Sequence, residues 1–292
     1  MNMSHTHAKP KGIIGFQGAP GAYSHLACQE VFPEWETRPH ISFEDVFDAV
    51  ERGDIDLGMI PIENSQHGRV ADIHFLLPES DLHIIGEHFH RVRHCLLGMP
   101  EADIRDIKEA ISHPQALGQT RVYLRNKSIT PHAHQDTADA ARKVAEMKDP
   151  RCAAVASSLA AEIYGLKILD EDIEDASHNT TRFIILSKEG VKPPLGDGQV
   201  MTSLFFAAKN VPAALYKALG SFATNGVNMT KLESYFRDGQ FVAAEFYLDI
   251  EGHPDEPHVV RALEELRFHS KWVRILGSYP IKRDRHTGVI TG

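Results

Sequence analysis

The stretch "IDLGMIPI", residues 55 to 62, restricts the fold more than any other part of this 292-residue chain. A strand with one wet face would alternate apolar and polar residues, whereas this run is apolar at nearly every position, as expected for a strand of a parallel sheet covered on both faces. The preceding segment agrees. "SFEDVFDAVERG" places Ser42 three residues before Asp45, a capping-box start, with Phe43, Val46, Phe47 and Val50 at helical spacing and Gly53 at the end. The unit is therefore helix, turn and buried strand, stopping at Glu63, Asn64 and Ser65.

The same plan recurs. "KGIIGFQG" reads as a strand running into the Gly/Pro turn "APGAYS" and a helix from about Ala22 to Val31, and "EAISHPQALGQ" repeats that logic. "DTADAARKVAEMKDPRCAAVASS" gives a polar cap, an amphipathic helix and a small-residue strand ending at Ser157 and Ser158. Two α/β lobes follow, with a ligand cleft between them where strand C-termini and helix N-termini converge. The linker "KEGVKPPLGDGQ" then marks a boundary by its prolines and glycines. Beyond it come strand 201–208, helix 212–224, strand 227–236, a turn at Asp238 and Gly239, strand 241–250, helix 256–268 and strand 272–279: a βαββαβ, ferredoxin-like unit. The expected division is 11–189 for the two-lobed domain, 190–199 for the linker and 200–281 for the small domain.

A net charge of −9 without a basic block argues against nucleic acid as a partner, because phosphate neutralisation needs clustered Lys and Arg. Cys28, Cys95 and Cys152 are odd in number and in no redox or metal spacing, which suits a reducing compartment. The start "MNMSHTHAKPKG" has no apolar signal core, and no apolar run approaches the ~20 residues needed to span a bilayer. The expectation is a cytoplasmic protein with no membrane partner. Histidines cluster at His88, His90 and His94 and at His132 and His134, but neither group has a ligand pattern of a known metal site, and no metal is assigned.

Four polar turns stand where the pattern puts strands against helices: "GAPGAYS" (18–24), "ENSQHG" (63–68), "SHPQALGQ" (112–119) and "HNTTRF" (178–183). They offer hydroxyls, amides and free backbone N–H groups, and Arg182 adds a charge able to grip a carboxylate. A small acid is the ligand this chemistry suits. Each turn also has a plainer use, a tight bend at Gly18, Pro20 and Gly21 or a helix cap at Ser65 and Ser112.

Taken in order, "GAPGAYSHLA", "PIENS", "SHPQAL" with Gln119, and "NTTRF", followed by a βαββαβ unit, resemble prephenate dehydratase with a C-terminal ACT regulatory domain, from about Ile13 to Tyr279. The resemblance implies a two-lobed, periplasmic-binding-protein-like catalytic domain that converts prephenate to phenylpyruvate, CO2 and water. No cofactor is implied, since aromatisation drives the loss of both groups. It further implies Thr181 as the principal catalytic residue, with Glu63, Asn64 and Gln119 beside it. Ser65, Ser112, Arg182, Phe183, Tyr23 and Ser24 would line the substrate, Arg182 holding the pyruvyl carboxylate. The ACT likeness implies L-phenylalanine as effector, bound near Ala213, Leu215, Asn228, Thr230, Glu233 and Ser234, and a homodimer or homotetramer. Here the chain departs from its family: Ala213-Ala214-Leu215 stands for Gly-Ala-Leu, and Tyr235-Phe236 for Arg-Pro. Arogenate as substrate, and a non-catalytic amino-acid sensor, stay open at this stage.

Overall fold

The computed structural model describes residues 11–176, 178–196, 199–235 and 245–282. The chain begins β1 (Ile13–Gln17), α1 (Tyr23–Val31), β2 (Glu36–His40), α2 (Phe43–Arg52), β3 (Leu57–Asn64), β4 (Gly68–Arg69), α3 (Ile73–Glu79) and β5 (His83–Arg91). It continues with β6 (Cys95–Gly98), β7 (Glu109–Ser112), α4 (Pro114–Gln119), α5 (Arg121–Asn126), β8 (Thr130–Ala133), α6 (Thr137–Met147), β9 (Cys152–Ala156), α7 (Ser158–Tyr164), β10 (Lys167–Asp170) and β11 (Thr180–Ser187). One sheet has the order β2-β1-β3-β11-β5 with β4 on β3; the other runs β10-β6-β9-β7-β8. The expected α/β lobes are thus present.

The capping box at α2 forms as read: Asp45 N–H donates to Ser42 Oγ, and Ser42 N–H donates to Asp45 Oδ2, each at 3.1 Å. α2 buries Val46, Phe47, Ala49 and Val50, and β3 lies parallel to β1 with Leu57, Met59, Ile60 and Ile62 buried. A correction concerns the polar turns. Residues 63–68 do not lead into a helix; Asn64 pairs with Gly68 and Glu63 with Arg69 in an antiparallel hairpin, the reversal completed by Gly68 at φ 75°. "HNTTRF" likewise enters β11. Only 18–24 and 112–119 precede helices, so the helix-dipole argument applies to α1 and α4 alone.

The lobes join where the first bend meets α7. Gly21 has φ 93°, and a Cβ on it would sit 2.9 Å from the α-carbon of Ala160. Its carbonyl accepts from Ser157 Oγ, whose oxygen also caps α7 by accepting from Ala160 N–H. Tyr164 OH donates to the neighbouring Pro20 carbonyl at 2.8 Å. The tight bend is therefore also a close interface between the two sheets' elements.

After the linker come β12 (Val200–Ala208), α8 (Ala214–Thr224), β13 (Met229–Tyr235), β14 (Glu245–Glu251), α9 (Pro257–His269) and β15 (Ser270–Pro280), a βαββαβ unit with sheet order β13-β14-β12-β15. The expected turn at Asp238 and Gly239 and the first residues of the expected strand at 241 lie outside the described residues. Alternate residues Leu204, Phe206 and Ala208 pack with Phe222, Val259, Leu263 and Leu266 of the helices. On β15, Arg274 donates to the carbonyls of Pro78 and Ser80 at the end of α3. The described residues up to Ala49, with Ile55–Arg69 and His90–Phe183, make one compact unit; Val50–Asp54, Val70–Phe89 and the described residues from Ile184 onward make another. Helix α8 starts later than Pro212 because Ala213, its N-cap, adopts the left-handed conformation, φ 60° and ψ 21°.

Two outcomes follow for thermal or chemical unfolding. Gly21→Ala lowers stability by roughly 1–3 kcal/mol, from the positive φ and the collision with Ala160 backbone. Ala213→Gly raises it by about 1 kcal/mol, because glycine relieves the left-handed strain.

Candidate active site

Thr181, Asn64 and Asn179 form one hydrogen-bonded cluster at the mouth of β11. Asn64 Oδ1 accepts from the backbone N–H groups of Gln66 and His67, at 2.9 and 3.1 Å. Only an oxygen can do so, which fixes the amide orientation. Asn64 Nδ2 then donates to Asn179 Oδ1 at 2.7 Å and to Thr181 Oγ1 at 3.0 Å. All of Asn64's bonding capacity is thereby used within the protein. Thr181 Oγ1 acts as the acceptor in this contact, so its own hydrogen remains available to another group.

Ser65 staples the same place. Its Oγ donates to His178 O and accepts from Thr180 N–H, both at 2.9 Å, and its N–H donates to Thr180 O. The hydroxyl expected to line the substrate thus joins the hairpin to the strand entrance. Asn179, 1% exposed, has Nδ2 buried without a partner among the described residues. It lies within "NTTRF", yet no local pattern marks it, since its burial depends on the returning strand.

From the second sheet's elements comes Gln119, at the end of α4. Its Oε1 lies 2.7 Å from His94 Nε2 and its Nε2 2.8 Å from His67 Nε2. His94 Nδ1 in turn lies 2.7 Å from Tyr23 OH, which is also 3.0 Å from Arg93 O. Burial lowers the His94 pKa, opposed by its Gln119 hydrogen bond and by Glu174, and loss of solvent raises that of Tyr23 well above the usual phenol value, with Cys95 and Glu174 adding to the effect. Sequence reasoning considered His94 only as a metal candidate. His90 and His134 each meet a carboxylate, His90 Nδ1 lying 3.0 Å from Glu30 and His134 Nε2 2.7 Å from Asp139.

Other expected residues sit elsewhere. Thr181 and Arg182 point to opposite faces of β11 by strand alternation. The Arg182 side chain is 1% exposed and donates from Nη1 to Glu63 Oε1 at 3.0 Å. Phe183 is buried in the strand, as an ordinary core residue would be. Ser112 is fully buried, its Oγ bonded to Val155 O across β7 and β9, and Ser24 is half-buried in α1. The cluster brought together is therefore Tyr23, Asn64, Gln119 and Thr181 with the unforeseen His67, His94 and Asn179.

In the βαββαβ unit, Ala213, Leu215 and Ser234 line one cavity of about 570 Å³ together with Lys209, Leu232 and Phe246. The other expected effector residues are engaged outside that lining: Asn228 Nδ2 donates to Glu251 at 2.8 Å, Thr230 Oγ1 to Asp249 O at 3.4 Å, and Glu233 pairs with Lys231 at 3.4 Å.

The chain is similar to known proteins over most of its length. The family model described as prephenate dehydratase matches residues 14–191. A bifunctional N-acyl-homoserine lactone acylase/prephenate dehydratase of Komagataeibacter europaeus is 51% identical over 269 residues, covering 92% of this chain and 95% of that protein. An Arabidopsis thaliana protein named arogenate dehydratase/prephenate dehydratase 1, chloroplastic, is 40% identical over 282 residues, 92% of this chain and 72% of that one. Among solved structures, prephenate dehydratase from Arthrobacter aurescens in complex with L-Phe superimposes with a TM-score of 0.83 at 29% identity, covering 92% of this chain and 90% of that one. The chain belongs to the prephenate dehydratase family, a family of lyase-type dehydratases.

Proposed function

We propose that the protein converts prephenate to phenylpyruvate, with the Thr181 hydroxyl as hydrogen-bond donor to the departing ring hydroxyl. One observation carries this reading: the Asn64 amide, whose orientation its own turn dictates, donates to Thr181 Oγ1 and so leaves the threonine hydrogen for an outside acceptor. As the ring carboxylate leaves as CO2, its bonding electrons move through the ring and expel the hydroxyl at the opposite position. Negative charge grows on that oxygen, and a donor placed there stabilises the transition state more than the ground state. The oxygen leaves as water once protonated, and the ring becomes aromatic.

Asn64 on this reading is a positioning residue, since it has no donor or acceptor left for substrate. Gln119 retains one Nε2 hydrogen with no acceptor among the described residues, suited to a substrate carboxylate. Glu63 and Arg182 hold one another across β3 and β11 and support the strand entrance. On this reading the catalytic domain spans 11–189, the linker 190–199 and an ACT-type regulatory domain 200–281. The cavity at Ala213, Leu215 and Ser234 is the proposed phenylalanine site, supported by the relative solved with L-Phe. A homodimer or homotetramer follows from that regulatory arrangement.

Arogenate is the second substrate reading, favoured by the name of the Arabidopsis relative. It differs from prephenate only in an amino group replacing the keto oxygen, away from Thr181 chemistry. The acylase activity in the name of the Komagataeibacter relative calls for a separate assay. Nucleophilic acyl transfer needs a hydroxyl or thiol activated by a base, whereas Thr181 is held by an amide.

Thr181→Ala is expected to lower kcat by roughly 10²-fold or more with unchanged circular dichroism, and Thr181→Ser to retain most turnover. Near-normal phenylpyruvate formation by the alanine variant would remove Thr181 from the mechanism. Asn64→Asp keeps the turn's acceptors but replaces the donor to Thr181, so the threonine hydrogen turns to the carboxylate and kcat falls by about the same factor. Assaying prephenate and arogenate in parallel, each with and without phenylalanine, tests substrate and regulation; a strong arogenate preference reverses the first assignment, and unchanged rates and no binding of phenylalanine reverse the second.

A further inference from the structure

His25 lies in the first turn of α1, 8% exposed, and no step described above uses it. Its neighbours allow its ring one arrangement of hydrogens. The Gly21 backbone N–H donates to His25 Nδ1 at 3.0 Å, and a backbone amide nitrogen can only donate, so Nδ1 is bare. The ring hydrogen therefore sits on Nε2 and meets the Thr37 hydroxyl oxygen of β2 at 2.8 Å. Gln29 Nε2, 3.5 Å from the same nitrogen, is too distant a donor to compete. Phe16 of β1 stacks on the ring, centroids 4.9 Å apart and planes 5° from parallel.

The contact with Gly21 resembles half of a capping box. Ala22, the N-cap, has no side-chain hydrogen bond, and the imidazole three residues on takes up the amide hydrogen just before it. That amide belongs to the residue whose carbonyl accepts from Ser157 and whose α-carbon has room only for hydrogen against Ala160, and Tyr23 follows two residues later. We propose that His25 in its neutral form is a positioning residue, a proton-sensitive latch that holds the Gly21 bend and with it the place of Tyr23 beside His94. A proton added at Nδ1 removes the acceptor and sets two hydrogens against each other. The groups against the ring, Phe16, Thr37, Gln29 and the bend, are uncharged, and Glu36, Arg38 and His40 alternate with Thr37 onto the other face of the sheet. Burial lowers the His25 pKa from the ordinary imidazole value of about 6.5. The unfolded chain then takes up the proton more readily than the folded one. The stability that the neutral ring supports is complete above that value and is lost as pH falls from it toward the lowered one. The consequence for turnover rests on the dehydratase reading above.

Two side chains separate the ring's two contacts. Asparagine puts an oxygen where Nδ1 stands and does not titrate, whereas glutamine reaches toward Thr37 but leaves no acceptor at the Nδ1 position. Nitrogen-15 NMR of His25 and hydrogen exchange of the Gly21 amide, both in the full chain, read the latch directly. The wild-type protein near neutral pH should show Nε2 protonated and Nδ1 bare, with a Gly21 protection factor that declines as pH falls below about 6.5. His25→Asn should keep that protection through the same interval, and His25→Gln should lose it by roughly fivefold even near neutral pH, the factor one net hydrogen bond is worth. In kinetics, kcat/KM for prephenate should decline on the acid side in the wild type and decline less in His25→Asn. A His25 ring protonated at Nδ1 near neutral pH, equal Gly21 protection in the two variants, or identical acid limbs in wild type and His25→Asn each overturns the proposal. The same contrast in exchange in a protein inert toward prephenate would sustain the latch and sink the dehydratase reading.

Discussion

The Asn64 amide is the contact on which the site depends. Its oxygen holds two backbone hydrogens of its own turn and its nitrogen reaches Asn179 and Thr181, so one side chain ties the β3–β4 hairpin to the entrance of β11. A typical intramolecular hydrogen bond contributes about 1 kcal/mol net, while a buried group left unpaired costs more, so the cluster strongly favours forming as a whole. The result is directional. An acceptor at position 64 would draw the Thr181 hydrogen inward, whereas the donor found there sends it out.

Around that cluster the scaffold brings two sheets to one place by close approach rather than by charge. Gly21 admits the backbone of α7, Ser157 and Tyr164 bond to the same bend, and Tyr23, two residues on, reaches His94 next to β6. A bend read as a simple turn thus serves as a joint and aims an aromatic hydroxyl. The βαββαβ unit shows the opposite case. Ala213 occupies a left-handed position, a strained residue in the lining of a cavity.

Much of the scaffold was legible beforehand. The capping box at Ser42 and Asp45, the buried strand ending at Asn64, and the βαββαβ order depend on local pattern, and local pattern survives folding. The hairpin at 63–68 was misread as a strand-to-helix turn because two paired residues at Gly68 and Arg69 carry too little periodicity to announce a strand. Arg182 illustrates the limit differently. Its type suggested a carboxylate clamp, yet strand alternation turns it away from Thr181 and into a pair with Glu63, more than a hundred residues distant in sequence.

What the sequence determined by itself was the inventory: two α/β lobes, a small antiparallel domain, and the motifs that place Thr181, Asn64 and Gln119 in one family. What only the tertiary structure decided was direction. Whether an amide donates or accepts, which tautomer a buried histidine adopts, and where a hydroxyl hydrogen points are set by partners such as Asn179 and Thr37 that lie in other parts of the chain. Hydrogen-bond polarity is a property of closed networks, and a network closes only when the chain has folded.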